Sequence, residues 1–488
     1  MSQSPAQHKK PAVRLPPEMW DYTLDFLHAD KKSLKTCTLV CRMWLNTARL
    51  HLFQTLYMSP RDGPLSGLTS FLSHSRHIVG YVRLITLQWY KKLTLRSLAS
   101  LLRVLAERLP KLGLILSDTR IVSSEISSPV LRFLRLRYQS SRFPVIGTLA
   151  IGQFNFSDSD ANRDVFPLLN LFARINFLGL KYGVSRNYFL EDAPVMDTAM
   201  AISSEIQSFQ ATELPIALLM HTVQYSAQTL RSLNLQTCLF TWDDVRVVGS
   251  ILPLCPNLVQ LYIQLLPLRE ASVSVEIEGA KVSLFYVVPL TYLLVESAAW
   301  ENWNDFGLSR CERLQELVLR LVTDSRTVEH FGTSRVFKAY ISMLRFCPLS
   351  IRCILLQFLP VTGEYALDPA YAVPTKLRNL EWKALDNVLC EKFTNAVVGV
   401  DFLNIASVQP VLLDGGPATA GLPLEQWPQR IFDRLLPMFR LQGRLAITYR
   451  PDESVSSSSA DDMVYGSPYI LSGIVFVVVV SEVVLVSS

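Results

Sequence analysis

The sequence lacks several features that usually reveal a function. Its eight cysteines include no C-x2-C pair of the kind that binds structural zinc. The amino terminus has no apolar signal-peptide core, and no long block of lysine and arginine occurs along the chain. These absences predict an intracellular protein, cytoplasmic, nuclear or both, whose thiols are small buried side chains. Charge gives no indication of a nucleic-acid partner, and we expect none.

Familiar catalytic motifs are also missing. The sequence contains no phosphate loop that ends in Gly-Lys-Ser/Thr and no Gly-x-Ser-x-Gly elbow. His74 and His77 lie close in sequence, but no acidic or thiol cluster nearby completes a metal site. We therefore expect no catalytic residue, no metal and no cofactor, and a protein that is not an enzyme.

What is present is a globular composition. Apolar residues make up 49% of the chain, aromatic residues 10% and charged residues 18%, with a net charge of +5. A chain of 488 residues is too long for one ordinary hydrophobic core. Composition and patterning predict six segments: a flexible leader at 1–13, a helical unit at 14–56, a linker at 57–80, a leucine-rich domain at 81–450, a serine-rich linker at 451–467 and an apolar valine-rich tail at 468–488.

The leucine-rich domain has a recurring pattern in which a helix is followed by a short strand. The strand motif has the form L-x-x-L-x-L, with apolar residues of other types at some positions, and it occurs at 230–235, 258–263, 314–319 and 351–356. Such units cannot bury their apolar faces alone and must stack. We predict an irregular leucine-rich-repeat-like α/β solenoid. A generic α/β domain with leucine-rich strands is the alternative, because the spacing is uneven and the consensus asparagine is mostly missing.

The valine-rich tail permits several interpretations. Its stretch at 470–486 is about long enough to span a bilayer. Glu482 interrupts it, and a carboxylate at the centre of a membrane helix costs roughly 2.5–3.5 kcal/mol. An extra strand or a poorly ordered extension is favoured over a membrane anchor, and an error in the predicted gene end would also explain the stretch.

The segment at 14–56 has a dense helical pattern. Pro16 and Pro17 favour a helix start, and Glu18 suits the positive end of the first turn. The helical spacing of Trp20, Leu24 and Leu27 places them on one face, with Met19 and Phe26 toward another.

Two further helices are predicted after this first one. Asp30 can cap a second short helix that contains Leu34. A third helix is predicted to carry an apolar stripe of Cys37, Val40, Cys41, Trp44 and Ala48. A unit of about 40 residues is too small to hide apolar residues on several sides, so we expect it to bury the surplus against a partner helix.

This segment resembles the F-box. The opening Leu-Pro-x-Glu-(Ile/Leu) of that family stands here at 15–19, with Met19 in the last place. Leu24 and Leu27 occupy the following leucine pair. The closing Val-Cys-(Arg/Lys)-x-Trp stands at 40–44, and the family's tail resembles residues 48–53. The match covers under a tenth of the chain, and its combination with a leucine-rich array resembles fungal F-box proteins.

The resemblance implies a function. F-box modules bind a Skp-type adaptor and, through it, cullin and RING subunits, so the chain would be the substrate-recognition subunit of an SCF-type ubiquitin ligase. An unidentified protein substrate would bind the concave, strand-lined face of the leucine-rich domain or its loops. Two alternatives are a non-ligase scaffold that binds the adaptor and a membrane-tethered interaction protein. The residues implied in adaptor binding, some of them shared with the F-box core, are Leu15, Pro16, Pro17, Met19, Leu24, Leu27, Leu34, Val40 and Trp44. For Val40 and Trp44, a purely internal packing role is the alternative.

Overall fold

The structure is a computed structural model, and it describes residues 16–88, 93–117, 121–122, 143–154, 165–166, 168–182, 202–212, 214, 216–239, 242–265, 272–277, 280–285, 307–323, 332–360, 380–403, 436–438, 442 and 444–450. The predicted leader at 1–13 and the segments at 451–467 and 468–488 lie outside these residues. The fold is α/β, which confirms the predicted class. The chain divides into two compact units. Unit 1 comprises Met1–Phe154 and Asp158–Asn176, and unit 2 comprises Asn155–Ser157 and Phe177–Ser488.

Unit 1 begins with three short helices, α1 (Pro17–Phe26), α2 (Lys31–Val40) and α3 (Arg42–Phe53). Proline at the first position of α1 fixes a helical φ where no N–H partner is needed. Asp30 caps α2, as predicted, because its Oδ1 accepts hydrogen bonds from the backbone N–H groups of Lys32 and Ser33 at 3.1 and 3.0 Å.

The prediction of one third helix carrying the whole apolar stripe was wrong. The backbone of Cys41 is extended, with φ −159° and ψ 165°, so it ends α2 and starts α3. Cys37 is buried from α2 and Ala48 from α3, whereas Val40 and Cys41 are exposed. The extended residue Cys41 divides the stripe between two helices. Residues on different helices do not share one face, whatever their spacing in the sequence.

The remaining described elements of unit 1 include three α-helices, two short 3-10 turns (Pro60–Asp62 and Leu109–Lys111), a parallel sheet and a separate two-stranded pair. The helices are α4 (Leu65–His74), α5 (Arg76–Val79) and α6 (Leu95–Val104); the strands are β1 (Thr55–Met58), β2 (Leu84–Gln88), β3 (Leu93–Thr94), β4 (Gly113–Ser117), β5 (Ile121–Val122) and β6 (Phe143–Phe154). Strands β1, β2, β4 and β6 pair in that order and in parallel, and β3 pairs with β5. Strand β7 (Phe172–Tyr182) crosses the boundary between the units.

The linker predicted at 57–80 is instead structured. Helix α4 starts directly after Pro64 and contains Gly67, although proline and glycine led to the prediction of a loop. Its leucines Leu65, Leu68 and Leu72 are buried, and the helix packs against α6. The three leucines follow helical spacing, so burial of one apolar face outweighs the weak intrinsic helix preference of the segment.

In unit 2, helices and parallel strands again alternate along much of the chain, and there are more of them than in unit 1. Its described helices are α7 (Ile216–Ser226), α8 (Trp242–Ile251), α9 (Gly332–Phe346) and α10 (Trp382–Lys392); its strands are β8 (Glu205–Thr212), β9 (Ser232–Leu239), β10 (Gln260–Leu265), β11 (Ser272–Ile277), β12 (Ala280–Phe285), β13 (Glu316–Thr323), β14 (Cys353–Pro360), β15 (Val397–Leu403) and β16 (Leu445–Arg450). Strands β8, β9, β10, β13, β14, β15 and β16 are neighbours in that order, and every pair is parallel. Strands β11 and β12 form a separate antiparallel pair.

Apolar residues of the strand motifs stack in register across this sheet. One row consists of Phe209, Leu233, Leu261, Leu317, Ile354 and Val398, and the row two residues further consists of Ala211, Leu235, Ile263, Leu319, Leu356 and Val400. All twelve side chains are buried. Since successive side chains of a strand point to opposite faces, one face of the sheet forms the core of the unit.

A recurring pair of hydrogen bonds joins the starts of several strands to the residue just before the neighbouring strand. The carbonyl of Arg231 accepts from the N–H groups of Val259 and Gln260 at 2.8 and 3.0 Å. The carbonyls of Val259 and Gln315 accept in the same way from the starts of β13 and β14. In unit 1, the carbonyl of Gln54 accepts from the first residues of β2. A strand and its preceding turn are therefore a recurring structural unit, at irregular intervals along the chain.

Helices cover the apolar side of the unit 2 sheet. The hydroxyl of Tyr340 on α9 donates to the carbonyl of Arg320 on β13 at 2.6 Å, and its ring is buried. The rings of Phe337 and Trp382 meet edge to face, with centroids 4.8 Å apart, which joins α9 to α10. Across the described part of the chain, no helix is both long enough and apolar enough to cross a membrane.

Candidate partner-binding surfaces

The three amino-terminal helices enclose a small core. Leu24, Leu34, Cys37 and Ala48 are buried in it, and Leu27, Trp44 and Leu52 pack against them. The rings of Trp20 and Trp44 have centroids 5.1 Å apart, which brings α1 and α3 together. These contacts account for the apolar residues that the helical spacing placed on the inner face of α1.

Six large apolar side chains of the same helices remain on the outside. They are between 50% and 85% exposed, and we call them the bundle surface: Met19, Tyr22, Phe26, Leu39, Val40 and Met43. The first three lie on α1, where the Tyr22 and Phe26 rings meet edge to face at 4.8 Å. The other three lie on either side of the break at Cys41. Exposed apolar patches are typical of sites where another protein binds.

Polar contacts hold α1 in place on α3. The hydroxyl of Thr47 donates to Oδ1 of Asp21 at 2.5 Å, and Nε2 of His51 lies 2.8 Å from Oδ1 of Asp25. The other ring nitrogen of His51 is buried and has no hydrogen-bond partner within the described residues. Two contacts one helical turn apart on each helix fix the axial position of α1, and with it the position of its exposed apolar stripe.

The helices are joined closely to the sheet of unit 1. Gln54 alone separates α3 from β1, and its carbonyl accepts from the N–H groups of Arg83 and Leu84 at 2.9 and 2.8 Å. The hydroxyl of Tyr81 donates to the side-chain oxygen of Asn46 at 3.0 Å. The bundle surface is therefore held on a structured base within unit 1 and not on a flexible tether.

The predicted adaptor-binding residues fall into distinct groups in the structure. Leu15 lies outside the described residues, and only the backbone of Pro17 is described. Pro16, Met19 and Val40 are exposed, Leu24 and Leu34 are buried, and Leu27 and Trp44 are partly buried against the core.

Sequence reasoning left four residues of the bundle surface out of its site: Tyr22, Phe26, Leu39 and Met43. The i, i+3, i+7 spacing of Met19, Tyr22 and Phe26 was the signal for the first two. Leu39 and Met43 carried no comparable signal, because their exposure depends on the break at Cys41.

A second surface lies on the face of the unit 2 sheet opposite its core. On its first three strands this face carries hydroxyl and amide side chains, and we call it the polar face. Strand β8 contributes Ser208, Gln210 and Thr212, and β9 contributes Ser232, Asn234 and Gln236. Strand β10 contributes Gln260, Tyr262 and Gln264. Gln264 is buried and the other eight are half-buried.

Neighbouring strands share hydrogen bonds across the polar face. Gln210 and Thr212 both donate to Oε1 of Gln236, at 3.5 and 3.4 Å, and Gln260 donates to Oε2 of Glu316 at 2.7 Å. Oδ1 of Asn234 is buried and accepts no hydrogen bond from the described residues. Buried acceptors are normally satisfied, so the Oδ1 of Asn234 is an exception among the described residues.

Two observations bear on the chemistry that the described residues could perform. Within the described residues, no group of three or more His, Cys, Asp or Glu side chains is arranged to hold a metal ion. Burial raises the pKa of the Cys255 and Cys347 thiols to about 12 and of the Cys311 and Cys353 thiols to about 11. These four thiols are protonated near neutral pH and are poor nucleophiles in that form.

No protein-family model matches the chain, and no curated protein is significantly similar to it. Functional inference therefore depends on the fold, the two surfaces and the motif at 15–53.

Proposed function

We propose that the chain is the substrate-recognition subunit of an SCF-type cullin–RING ubiquitin ligase. Its bundle surface binds a Skp-type adaptor, which links it to the cullin and RING subunits. Unit 2 binds a protein substrate on its polar face. In this role the chain needs no catalytic group of its own, because its contribution is to hold the substrate close to the transferred ubiquitin.

The observation that carries this proposal is the exposure of six large apolar side chains on three short helices. A unit of this size gains stability by burying such residues against a partner, and helices commonly do so against another helix. The six residues lie within the segment whose motif resembles the F-box. Their number and grouping on one small bundle distinguish them from the single exposed apolar residues that any surface has.

The burial pattern divides the roles of the predicted residues. Leu24 and Leu34 are buried, so their role in adaptor binding is to keep the bundle in shape. Met19 and Val40 are exposed and would touch the adaptor directly. The alternative of a purely internal packing role for Val40 therefore does not fit its exposure. Trp44 belongs with the core, because it packs against the buried cluster.

The test is a titration of the full-length chain with a purified Skp-type adaptor. Two variants, Val40→Lys and Met43→Asp, each place a charge on the bundle surface. The lysine comes at the end of α2 and the aspartate in the first turn of α3, where the helix dipoles favour those charges, so the fold is kept. We expect each variant to weaken adaptor binding at least tenfold, as loss of a central apolar contact does.

Leu349→Lys is the matched control, because Leu349 is an exposed leucine in unit 2. It should leave adaptor binding unchanged. Absence of binding by the folded native chain would overturn the proposal. Adaptor binding without cullin co-purification would instead identify a non-ligase scaffold.

A further inference from the structure

The polar face is uncharged over three neighbouring strands. None of its nine side chains is acidic or basic, whereas the residues between them along the strands are apolar and buried. Burial, together with the nearby Glu316 carboxylate and against the opposite effect of the Arg320 guanidinium, raises the pKa of Tyr262, so its phenol also stays neutral. The face thus offers hydrogen-bond donors and acceptors without a net electrostatic preference.

The absence of a cation on these strands decides which ligands fit. Phosphate groups in proteins are usually held by arginine, lysine or the amino terminus of a helix. On the adjacent strand β13, Arg320 lies opposite Gln264 in register, and the Nε of its guanidinium donates to Oε1 of Gln357 at 2.7 Å. The nine side chains themselves offer a phosphorylated segment or a nucleic acid no counter-charge for the hydration that its own charges would lose, and Arg320 at the edge of the face is already hydrogen-bonded to Gln357.

An extended polypeptide matches the same face. Each residue of a peptide backbone presents one N–H donor and one carbonyl acceptor, and amide side chains can complement both. The hydrogen bonds that Gln236 accepts are long, and Oδ1 of Asn234 has no donor among the described residues. Three strands about 4.8 Å apart span roughly 10 Å, which corresponds to about three or four residues of extended chain.

We propose that the polar face binds an extended, uncharged and unphosphorylated segment of the substrate. This inference rests on the proposed function, which makes a protein the ligand of unit 2. It adds that recognition requires no phosphorylation and depends on the hydroxyl and amide side chains of β8–β10.

The test uses the full-length chain and an array of 12-residue peptides in four matched sets. One set is uncharged, and the others carry two lysines, two glutamates or two phosphoserines in the same backgrounds. We expect the chain to bind the uncharged set at least tenfold more tightly than the phosphoserine set. Preference for the phosphoserine set, or binding of a neutral oligosaccharide with no peptide bound, would overturn the inference.

Two variants locate the binding on the face. The double change Asn234→Leu with Gln260→Leu removes two amides and should weaken binding of the uncharged set about tenfold, roughly the loss of two net hydrogen bonds. Gln228→Leu, the same change at an exposed glutamine in the turn after α7, is the control and should have no effect. Gln210→Lys supplies the missing cation, so it should raise binding of the phosphoserine set. Unchanged peptide binding in both face variants would also overturn the inference.

Adaptor binding in the same preparations separates this inference from the proposed function. Adaptor binding together with a phosphoserine preference would contradict the inference alone. Uncharged-peptide binding without adaptor binding would contradict the proposed ligase role and leave the peptide-binding face in place.

Discussion

The buried carboxylate of Asp386 accepts a hydrogen bond through Oδ2 from the backbone N–H of Met438, at 3.0 Å and 52 positions further along the chain. The contact fixes the described residues 436–438 to α10. Because an intramolecular hydrogen bond contributes about 0.5–1.5 kcal/mol net, and up to about 3 kcal/mol where the acceptor is charged, we expect Asp386→Ala to lower the free energy of unfolding by about 1–3 kcal/mol. Urea denaturation measures the change.

Asp386→Asn provides the comparison, because its amide oxygen can still accept from Met438. It should lose less stability than Asp386→Ala, and the exposed neighbour Asn387→Ala should lose little. Equal losses for the two Asp386 variants would show that the hydrogen bond contributes nothing.

Two glycines of unit 1 should respond in opposite directions to alanine. A Cβ at Gly147 would lie 2.8 Å from the carbonyl oxygen of Pro110 and 3.0 Å from that of Leu112, so backbone must move. We expect Gly147→Ala to cost about 1–3 kcal/mol. A Cβ at Gly67 in α4 meets nothing within 4 Å, and Gly67→Ala should stabilise by about 0.5–1 kcal/mol. Thermal unfolding measures both changes, and a stabilised Gly147→Ala would contradict the close approach of β6 to the turn before β4.

Much of the repeating sheet could be predicted from the sequence, because the strand motif states which residues are buried. In the motif at 230–235, Leu233 and Leu235 lie in β9 and point into the core. Leu230 lies in the turn before the strand, where its N–H donates to the carbonyl of Ser226. The strand therefore starts at Ser232, two residues later than the motif. Leucine spacing reports burial, and it does not report where strand hydrogen bonds begin.

The bundle surface could be predicted only in part. Helical spacing predicts the exposed stripe of α1, because residues spaced three or four apart within one continuous helix lie on the same face. Leu39, Val40 and Met43 are exposed through the extended backbone at Cys41, and the four-residue spacing of Cys37 and Cys41 gives no sign of that break. Which residues a bundle leaves outside depends on how its helices pack, and a local pattern does not contain that packing.

The cap of α2 should make the stability of the bundle depend on pH. The hydroxyl of Ser33 and the backbone N–H groups of Ser33 and Lys32 donate to Asp30, and these hydrogen bonds lower the pKa of its carboxyl below 3.8. The contribution of the ionised cap is therefore fully present above pH 3.8 and is lost as the pH falls through the lower pKa of the folded state.

Asp30→Ala should destabilise the bundle near neutral pH, and the difference from the native chain should shrink below pH 3.8. Far-ultraviolet circular dichroism during urea unfolding at several pH values measures both effects. Asp30→Asn is the control, since asparagine caps helices without a titratable group. A difference between native chain and Asp30→Ala that stays constant from pH 6 to pH 3 would count against the ionised cap.

The described cysteines should differ sharply in reactivity. Cys41 is exposed at the break between α2 and α3, whereas Cys255, Cys311 and Cys347 are buried. At pH 7 a thiol with a pKa of about 12, as at Cys255 and Cys347, is thiolate at roughly one part in 10⁵, against roughly 1% for a cysteine with the ordinary pKa of 9.0. We expect a maleimide to modify Cys41 in the native chain and the three buried thiols only after unfolding, as peptide mass spectrometry would show.

The same thiols should limit stability in alkali. Their pKa is raised from 9.0, so the folded state holds its protons more tightly than the unfolded chain does. That contribution is fully present below pH 9 and is lost as the pH rises toward 11–12. Cys347→Ala should flatten this alkaline loss, although removal of a buried side chain costs about 1–2 kcal/mol at neutral pH. Cys41→Ala is the matched control, and an identical flattening in that variant would assign the alkaline loss to other groups.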